Sequence, residues 1–270
     1  MGMQDFTVPP RTDRIGSIAF TVMPLDRAID LVIDASSAVP AGDAGHPGLA
    51  IHFCNAYNVA LARKDAAYAR LLAGADVVFS DGVPITWVGR RAYPAAGAEW
   101  ERVYGPDVMR GVLDRSAGEG PTHYLLGSTP ETLATLRSRL AADHPHAVIA
   151  GAESPPFRAA TPAELVERDE RIRASGASIV WVGLGTPKQD TEVQRLASSL
   201  PVLAMAVGAA FDFLAGTKPQ APEWMQRSGL EWAFRLASEP GRLGKRYVWG
   251  NSVFALEAAR TMRATRGQRR

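Results

Sequence analysis

The chain has 270 residues, 46% of them apolar and 21% charged, which suits one large folded domain, or a domain with an appendage, and excludes a disordered or fibrous chain. A net charge of +2 leaves no polyanion-binding signature, so nucleic acid is not an expected partner. The single cysteine, Cys54, excludes an internal disulfide and points to the reducing cytosol.

In chain order, the opening MGMQDFTVPPRTDR lacks an apolar h-region and predicts no signal peptide. Short apolar runs then recur at Leu49–Phe53, Asp76–Phe79, Thr122–Leu126, Ala147–Ala150, Ala177–Val182 and Val202–Val207. They are apolar on both faces, as strands of a buried parallel sheet are. Helical patterns fill the gaps: Asn55–Leu72, Pro106–Ala117, Pro130–Ala142, Pro162–Ser175 and Pro187–Ser199. Four of these five open on proline, whose missing N–H costs nothing in a first helical turn. Ala92–Tyr104 and Gly151–Pro162 read as surface loops. The alternation predicts an α/β fold, a Rossmann-like, mostly parallel sheet flanked by helices, with ligands beyond the carboxyl ends of the strands. After Gly216 the pattern changes to Pro222–Arg227, Leu230–Ser238 and Arg242–Met262, all helical. The expected division is a body over 1–216 and a helical appendage over 217–270, ending in a disordered ATRGQRR. The longest uncharged stretch, Leu196–Phe211, is broken by Pro201 and Gly208 and is too short to span a bilayer.

Three strand-to-helix junctions carry glycine: Leu126-Gly127-Ser128, Gly183-Leu184-Gly185-Thr186-Pro187 and Val207-Gly208-Ala209-Ala210-Phe211-Asp212. Glycine lets backbone approach a ligand closely, and a helix start offers free N–H groups to an anion. Each could be only a tight turn; three together fit one nucleotide cleft better. No third glycine completes a dinucleotide fingerprint, which speaks against a nicotinamide-dependent oxidoreductase. Gln189 falls in a first helical turn, and Asp212 is either a ligand acceptor or a helix cap. The run VVFSDGVPITW, residues 77–87, places Asp81 at a fourth junction, because Pro84 spoils a hairpin reading. Asp81 is either an Asx-turn carboxylate or a general base facing the cleft, which Asn55 and Asn58 also face.

No metal ligands are convincing: the five histidines are scattered, and there is no Asp-x-Asp. A metal-free site would neutralise a leaving diphosphate with arginine, lysine or backbone N–H. From Arg242 onward, eight basic residues face one acid, Glu257, leaving the rest of the chain mildly acidic. Arg235, Arg242, Lys245 and Arg246 could share one helical face or lie on two facing helices, and the aromatics Trp224, Trp232, Phe234, Tyr247, Trp249 and Phe254 accompany them, a pattern suited to packing or to a membrane interface. The tail could equally serve self-association into a homo-oligomer.

The quoted pieces, with HFCNAYNVAL around Asn55, VYGPDVM around Gly105 and Asp107, VGLGTPKQD, VGAAFDFLAG and the long APEWMQRSGLEWAFRLASEPGR, resemble the WecG/TagA/CpsF family of bacterial glycosyltransferases from about Ile15 to Tyr247. The resemblance implies an inverting, metal-independent, cofactor-free enzyme. It would move an N-acetylmannosamine, N-acetylmannosaminuronate or glucose type of sugar from a UDP donor. The acceptor would be a saccharide on a polyprenyl diphosphate, at the inner face of the cytoplasmic membrane, in cell-surface polysaccharide synthesis. It makes Asp81 the base. Asn55, Gln189, Gly105 and Asp107 become substrate contacts, and Arg235, Arg242 and Arg246 the diphosphate contacts. Gly127, Gly183, Gly185, Thr186, Pro187, Gly208, Phe211 and Asp212 become the nucleotide site. It also implies a peripheral membrane contact through the basic appendage. Two positions depart from the family pattern. Phe53 stands where many relatives have threonine, and Gln220, with Lys218 nearby, where many have arginine. A site disabled by those changes would leave a non-catalytic UDP-sugar-binding or assembly module.

Overall fold

A computed structural model describes residues 10–38, 48–116 and 120–267, with the side chain of Arg242 left out. Its elements are β1 (Thr12–Ile15), β2 (Ile18–Thr21), α1 (Leu25–Ala38), β3 (Leu49–Cys54), α2 (Ala56–Lys64), α3 (Ala66–Ala73), β4 (Val77–Ser80) and α4 (Val83–Ala92). There follow α5 (Gly105–Asp114), β5 (Thr122–Gly127), α6 (Pro130–Asp143), β6 (Val148–Glu153), α7 (Pro162–Ser175), β7 (Ile179–Gly183), α8 (Lys188–Ser199), β8 (Leu203–Ala206) and α9 (Ala210–Leu214). The chain closes with α10 (Glu223–Arg227), α11 (Glu231–Ser238) and α12 (Pro240–Gly267).

Six strands form one parallel sheet in the order β4-β3-β8-β7-β5-β6. This is the expected α/β architecture, and all six apolar runs are strands. Alternation sorts their side chains: Ile51, Phe53, Ile179, Trp181, Leu203 and Met205 enter one core with α1, α5 and α6, while Ala50, Val180, Val182, Ala204 and Ala206 enter another with α8. Burial of this apolar surface is the main force holding the layers together.

Several expectations need correction. The single helix Asn55–Leu72 is two, because the Asp65 side chain accepts from the N–H groups of Ala67 and Tyr68 and starts a new helix where α2 ends. Ala92–Tyr104 is no surface loop. It contains a one-turn 3-10 helix, Pro94–Ala96, and carries Trp100 into the core at 1% exposure. A Cβ on Gly89 would lie 2.2 Å from the Trp100 ring, so helix α4 and this segment are fitted backbone to ring. Truncating such a buried tryptophan costs about 3–5 kcal/mol. Most of the expected disordered tail is helix: α12 runs to Gly267, while 268–270 lie outside the described residues. The β1–β2 hairpin and α1 have no counterpart in the sequence reading.

The C-terminal helices close over the body. α12 lies along α2 and α4, with Phe254 and Ala258 in the same cluster as Ile15, Phe20 and Trp100. The Gly16 N–H donates to Thr261 Oγ1 at 3.1 Å. Helices α10 and α11 bury no residue fully. Among the described residues no helix is long and apolar enough to cross a membrane.

Candidate functional site

Three strands of the sheet end in turns that allow close approach of a ligand. Gly127 (φ 136°) and Ser128 (φ 59°) end β5, Gly185 (φ 76°) follows β7, and Gly208 (φ 60°) follows β8. A Cβ on Gly127 would lie 2.4 Å from the Gly183 carbonyl oxygen, so only glycine fits there. These turns border a cavity of about 1150 Å³ lined by Gly183, Gly185, Thr186, Gly208, Asp212 and Lys218, among others. Lys218 Nζ meets Asp212 at 3.2 Å, so a cation stands in the cavity two residues before Gln220. Phe53 lies in the wall at 4% exposure, its ring 5.5 Å from that of Phe79.

A second cavity, about 830 Å³, lies under the C-terminal helices. Gly82, Tyr57 and Arg102 of the body line it with Trp232, Tyr247 and Asn251 of α11 and α12. The two cavities share Asn55, Asp81, Tyr104, Arg235 and Arg246.

Asp81 occupies that common wall. Its N–H donates to the Cys54 carbonyl at 2.9 Å, extending the β3–β4 ladder by one residue and fixing its backbone. The N-cap of α4 is the next residue, Gly82, which has no side chain to cap with. The Asp81 carboxyl is half-buried, and its Oδ1 has no hydrogen-bond partner among the described residues. Burial pushes its pKa up to about 8; Arg102 pulls it down, Glu231 pushes it up, and Arg235 and the Gly105 backbone N–H pull it down. A carboxyl tuned near neutrality can take a proton and later release it.

The surroundings of Asp81 include residues the sequence reading missed. Glu231 of α11 accepts from Arg102 and, at 2.9 Å, from the Tyr104 hydroxyl, while the Arg102 guanidinium stacks 3.7 Å from the Tyr104 ring. Helix α11 is thereby latched to the segment before α5. Tyr104 and Glu231 lie inside quoted motifs, but only the fold pairs them. Arg246 stacks 3.7 Å over the Tyr57 ring. Burial opposes the charge of Arg235, but Tyr247, Tyr104, Glu231 and Asp81 outweigh it and hold its pKa above the ordinary arginine value.

Of the expected site residues, Asp81, Asn55, Gln189, Arg235, Arg246, Gly183, Gly185, Thr186, Gly208 and Asp212 line the two cavities. Others do not, for physical reasons. Phe211 is 1% exposed beneath Gly183, where it shapes the turn from below. Gly127 and Pro187 shape turns without lining the space, and Gly105 is buried beside Asp81. Asp107 pairs with Arg110 and lines a separate surface cavity with Arg90 and Trp87. Arg242 lies in the first turns of α12, with its side chain outside the described residues.

Two amides are also partly committed. Asn55 Oδ1 accepts from Tyr57 N–H, and Asn58 Oδ1 accepts from Asn55 N–H, closing a capping box that leaves the Asn55 NH2 for a ligand. Gln189 accepts from Gly185 N–H and donates to the Ala206 carbonyl, stapling the ends of β7 and β8. Asn58 does not face the cleft. It starts a buried chain in which Asn58 Nδ2 donates to Tyr68 Oη at 2.7 Å and Tyr68 donates to Asp190 at 3.1 Å, with His52 Nδ1 3.0 Å from Asp190. Among the described residues no group of three or more His, Cys, Asp or Glu is placed to hold a metal ion.

The family model for the glycosyl transferase WecG/TagA/CpsF family matches residues 14–268, a span that contains every residue of both cavities.

Proposed function

Because the chain belongs to the glycosyl transferase WecG/TagA/CpsF family, we propose that it transfers a sugar from a UDP donor to a saccharide carried on a polyprenyl diphosphate, in one inverting displacement without a metal ion. The observation that carries this reading is Asp81 on the wall common to two cavities. A transferase must hold two substrates with a base between them, and this arrangement supplies that geometry.

In the proposed step the ionised Asp81 takes the proton of an acceptor hydroxyl. The freed oxygen pair attacks the anomeric carbon while the bond from that carbon to the diphosphate oxygen breaks on the opposite face. UDP leaves with the bonding pair. Arg235, Arg246 and Lys218 meet its growing charge. Asn55 offers its NH2 to the sugar, and Asp212 is a uridine or sugar contact. Donors of the N-acetylmannosamine, N-acetylmannosaminuronate or glucose type fit the reading, and the product belongs to cell-surface polysaccharide synthesis.

The helices of 217–270 serve as the appendage that completes the acceptor side at the inner face of the cytoplasmic membrane. Trp87 (54%), Trp224 (63%) and Trp232 (39%) are exposed, and so are Lys245, Arg260, Arg263 and Arg266 of α12. Aromatic and basic side chains together favour the headgroup layer.

The test is UDP release from a panel of UDP-sugars in EDTA, with and without a polyprenyl-diphosphate-linked sugar, for the wild type and Asp81→Asn. Acceptor-dependent release from one donor, lost in the variant, is expected. Release that ignores the acceptor, or survives in Asp81→Asn, would overturn the reading.

A further inference from the structure

We propose that Phe157 is the lid of a nucleobase subsite at the β5–β6 edge of the sheet, stacking on the pyrimidine of the donor. The inference rests on the UDP-donor reading and adds where the base lies and what holds it.

The parallel sheet sets the strand ends in a row. Asp81 follows β4, Asn55 follows β3, Gly208 follows β8, Gly185 follows β7, Ser128 follows β5, and the loop with Phe157 follows β6. At about 4.8 Å between neighbours, the row spans roughly 24 Å. The reacting sugar must sit at the Asp81 end, where both cavities meet. A nucleotide sugar runs from sugar through diphosphate to ribose and base, so its base points toward β5 and β6.

That far end has the features of a base site. Ser128 and Thr129 give the cavity polar groups there, and Phe157 gives it a ring. Phe157 is 86% exposed, the most exposed large apolar side chain among the described residues, yet it lines the cavity. An exposed aromatic ring at the mouth of a polar cavity offers a face on which a flat base can stack. Neither a phosphate nor a divalent ion stacks in this way.

The root of this loop is tied to the cavity floor. Ser128 is the one non-glycine residue with positive φ among the described residues, at 59°. Such a conformation is strained, and strain of this kind persists where a ligand clamp needs it. Two bonds hold it: Ser128 N–H donates to the Gly183 carbonyl at 3.2 Å, and Ser154 Oγ donates to the Ser128 carbonyl at 2.7 Å. The second bond joins the β6 loop to the end of β5, three residues before Phe157. The neighbouring Arg158 is paired with Glu164, so it does not make this loop a phosphate clamp.

The experiment titrates UDP into the full chain by calorimetry for the wild type, Phe157→Ala and Phe157→Tyr, with melting temperatures recorded in parallel. It also follows the fluorescence added by Phe157→Trp. Stacking predicts a roughly 10- to 100-fold weaker UDP affinity for Phe157→Ala. It also predicts an unchanged melting temperature, since the side chain is exposed, wild-type affinity for Phe157→Tyr, and quenching of the added tryptophan by UDP. Unchanged UDP affinity in Phe157→Ala, an equal loss in Phe157→Tyr, or no quenching would overturn the lid while leaving the donor reading standing. No UDP binding by the wild type would sink the donor reading and the lid together.

Discussion

The two sides of the site are made of different material. The side over the strand ends is mostly backbone: glycines at positive φ, a strained serine, and glutamine and asparagine amides spent on turns. The side under the C-terminal helices is mostly long side chains: Arg102, Tyr104, Glu231, Trp232, Arg246 and Tyr247, paired and stacked on one another. A backbone wall has one shape and suits an invariant group such as a nucleotide. A wall of side chains can be re-cut one residue at a time and suits an acceptor whose sugars vary.

The sharpest probe of the comparison is the residue both sides share. Asp81→Asn should lower turnover by about 10² to 10⁴, the usual worth of a general base, and keep UDP binding by calorimetry. With the base near pKa 8, kcat/KM of the wild type should rise with pH and level off above about 8. The same shift carries a stability cost. Asp81 ionises near 3.8 when unfolded and near 8 when folded, so its contribution is fully present below about 4 and is lost as pH rises to about 8. Asp81→Asn should therefore melt higher than the wild type, by a margin that grows over that window and then stays level.

On the backbone side, Gly127→Ala meets both the φ of 136° and the Gly183 carbonyl. It should cost at least about 1–3 kcal/mol of stability, weaken UDP binding and leave the KM for lipid acceptor alone. A variant that binds UDP normally would break the division between the two sides.

On the side-chain side, Glu231→Gln releases Arg102 and Tyr104 from α11. The loss should be about 1.5–3 kcal/mol for hydrogen bonds to a charged group, with a raised acceptor KM and unchanged UDP affinity. Because Glu231 pushes the Asp81 pKa up, the midpoint of the kcat/KM profile should move below about 8. The smallest effect belongs to the surface: Arg263→Ala should weaken binding to anionic vesicles by about 1 kcal/mol, read by sedimentation, with no effect on UDP.

The same contrast decides what the sequence alone discloses. Strands buried on both faces read as unbroken apolar runs, and prolines mark the helix starts, so the sheet and the place of Asp81 were legible. The β1–β2 hairpin was not, because Asp13 occupies an inward position, held by Arg11 and Trp100 Nε1, and breaks the apolar alternation. Trp100 was misplaced in a loop because its partners, Phe20 and Gly89, come from other elements. Glycine turns are local signals, and most of the strand-end site followed from them. Phe211 and Gln189 were placed at the right junctions, but their side chains serve the turns. The Arg102–Glu231 latch joins residues 129 apart in the chain, a distance at which no spacing rule operates.

Helices α10 and α11, which bury no residue fully, have a kinetic consequence. A segment with so little buried surface opens at low free energy, whereas the ends of β3, β7 and β8 are splinted by Gln189 and the Asn58–Tyr68–Asp190–His52 chain. Amide protons over 223–238 should exchange with deuterated solvent far faster than those of these strands. An acceptor lodged beneath them should slow that exchange, so the compliance of the site resides in its helical cover.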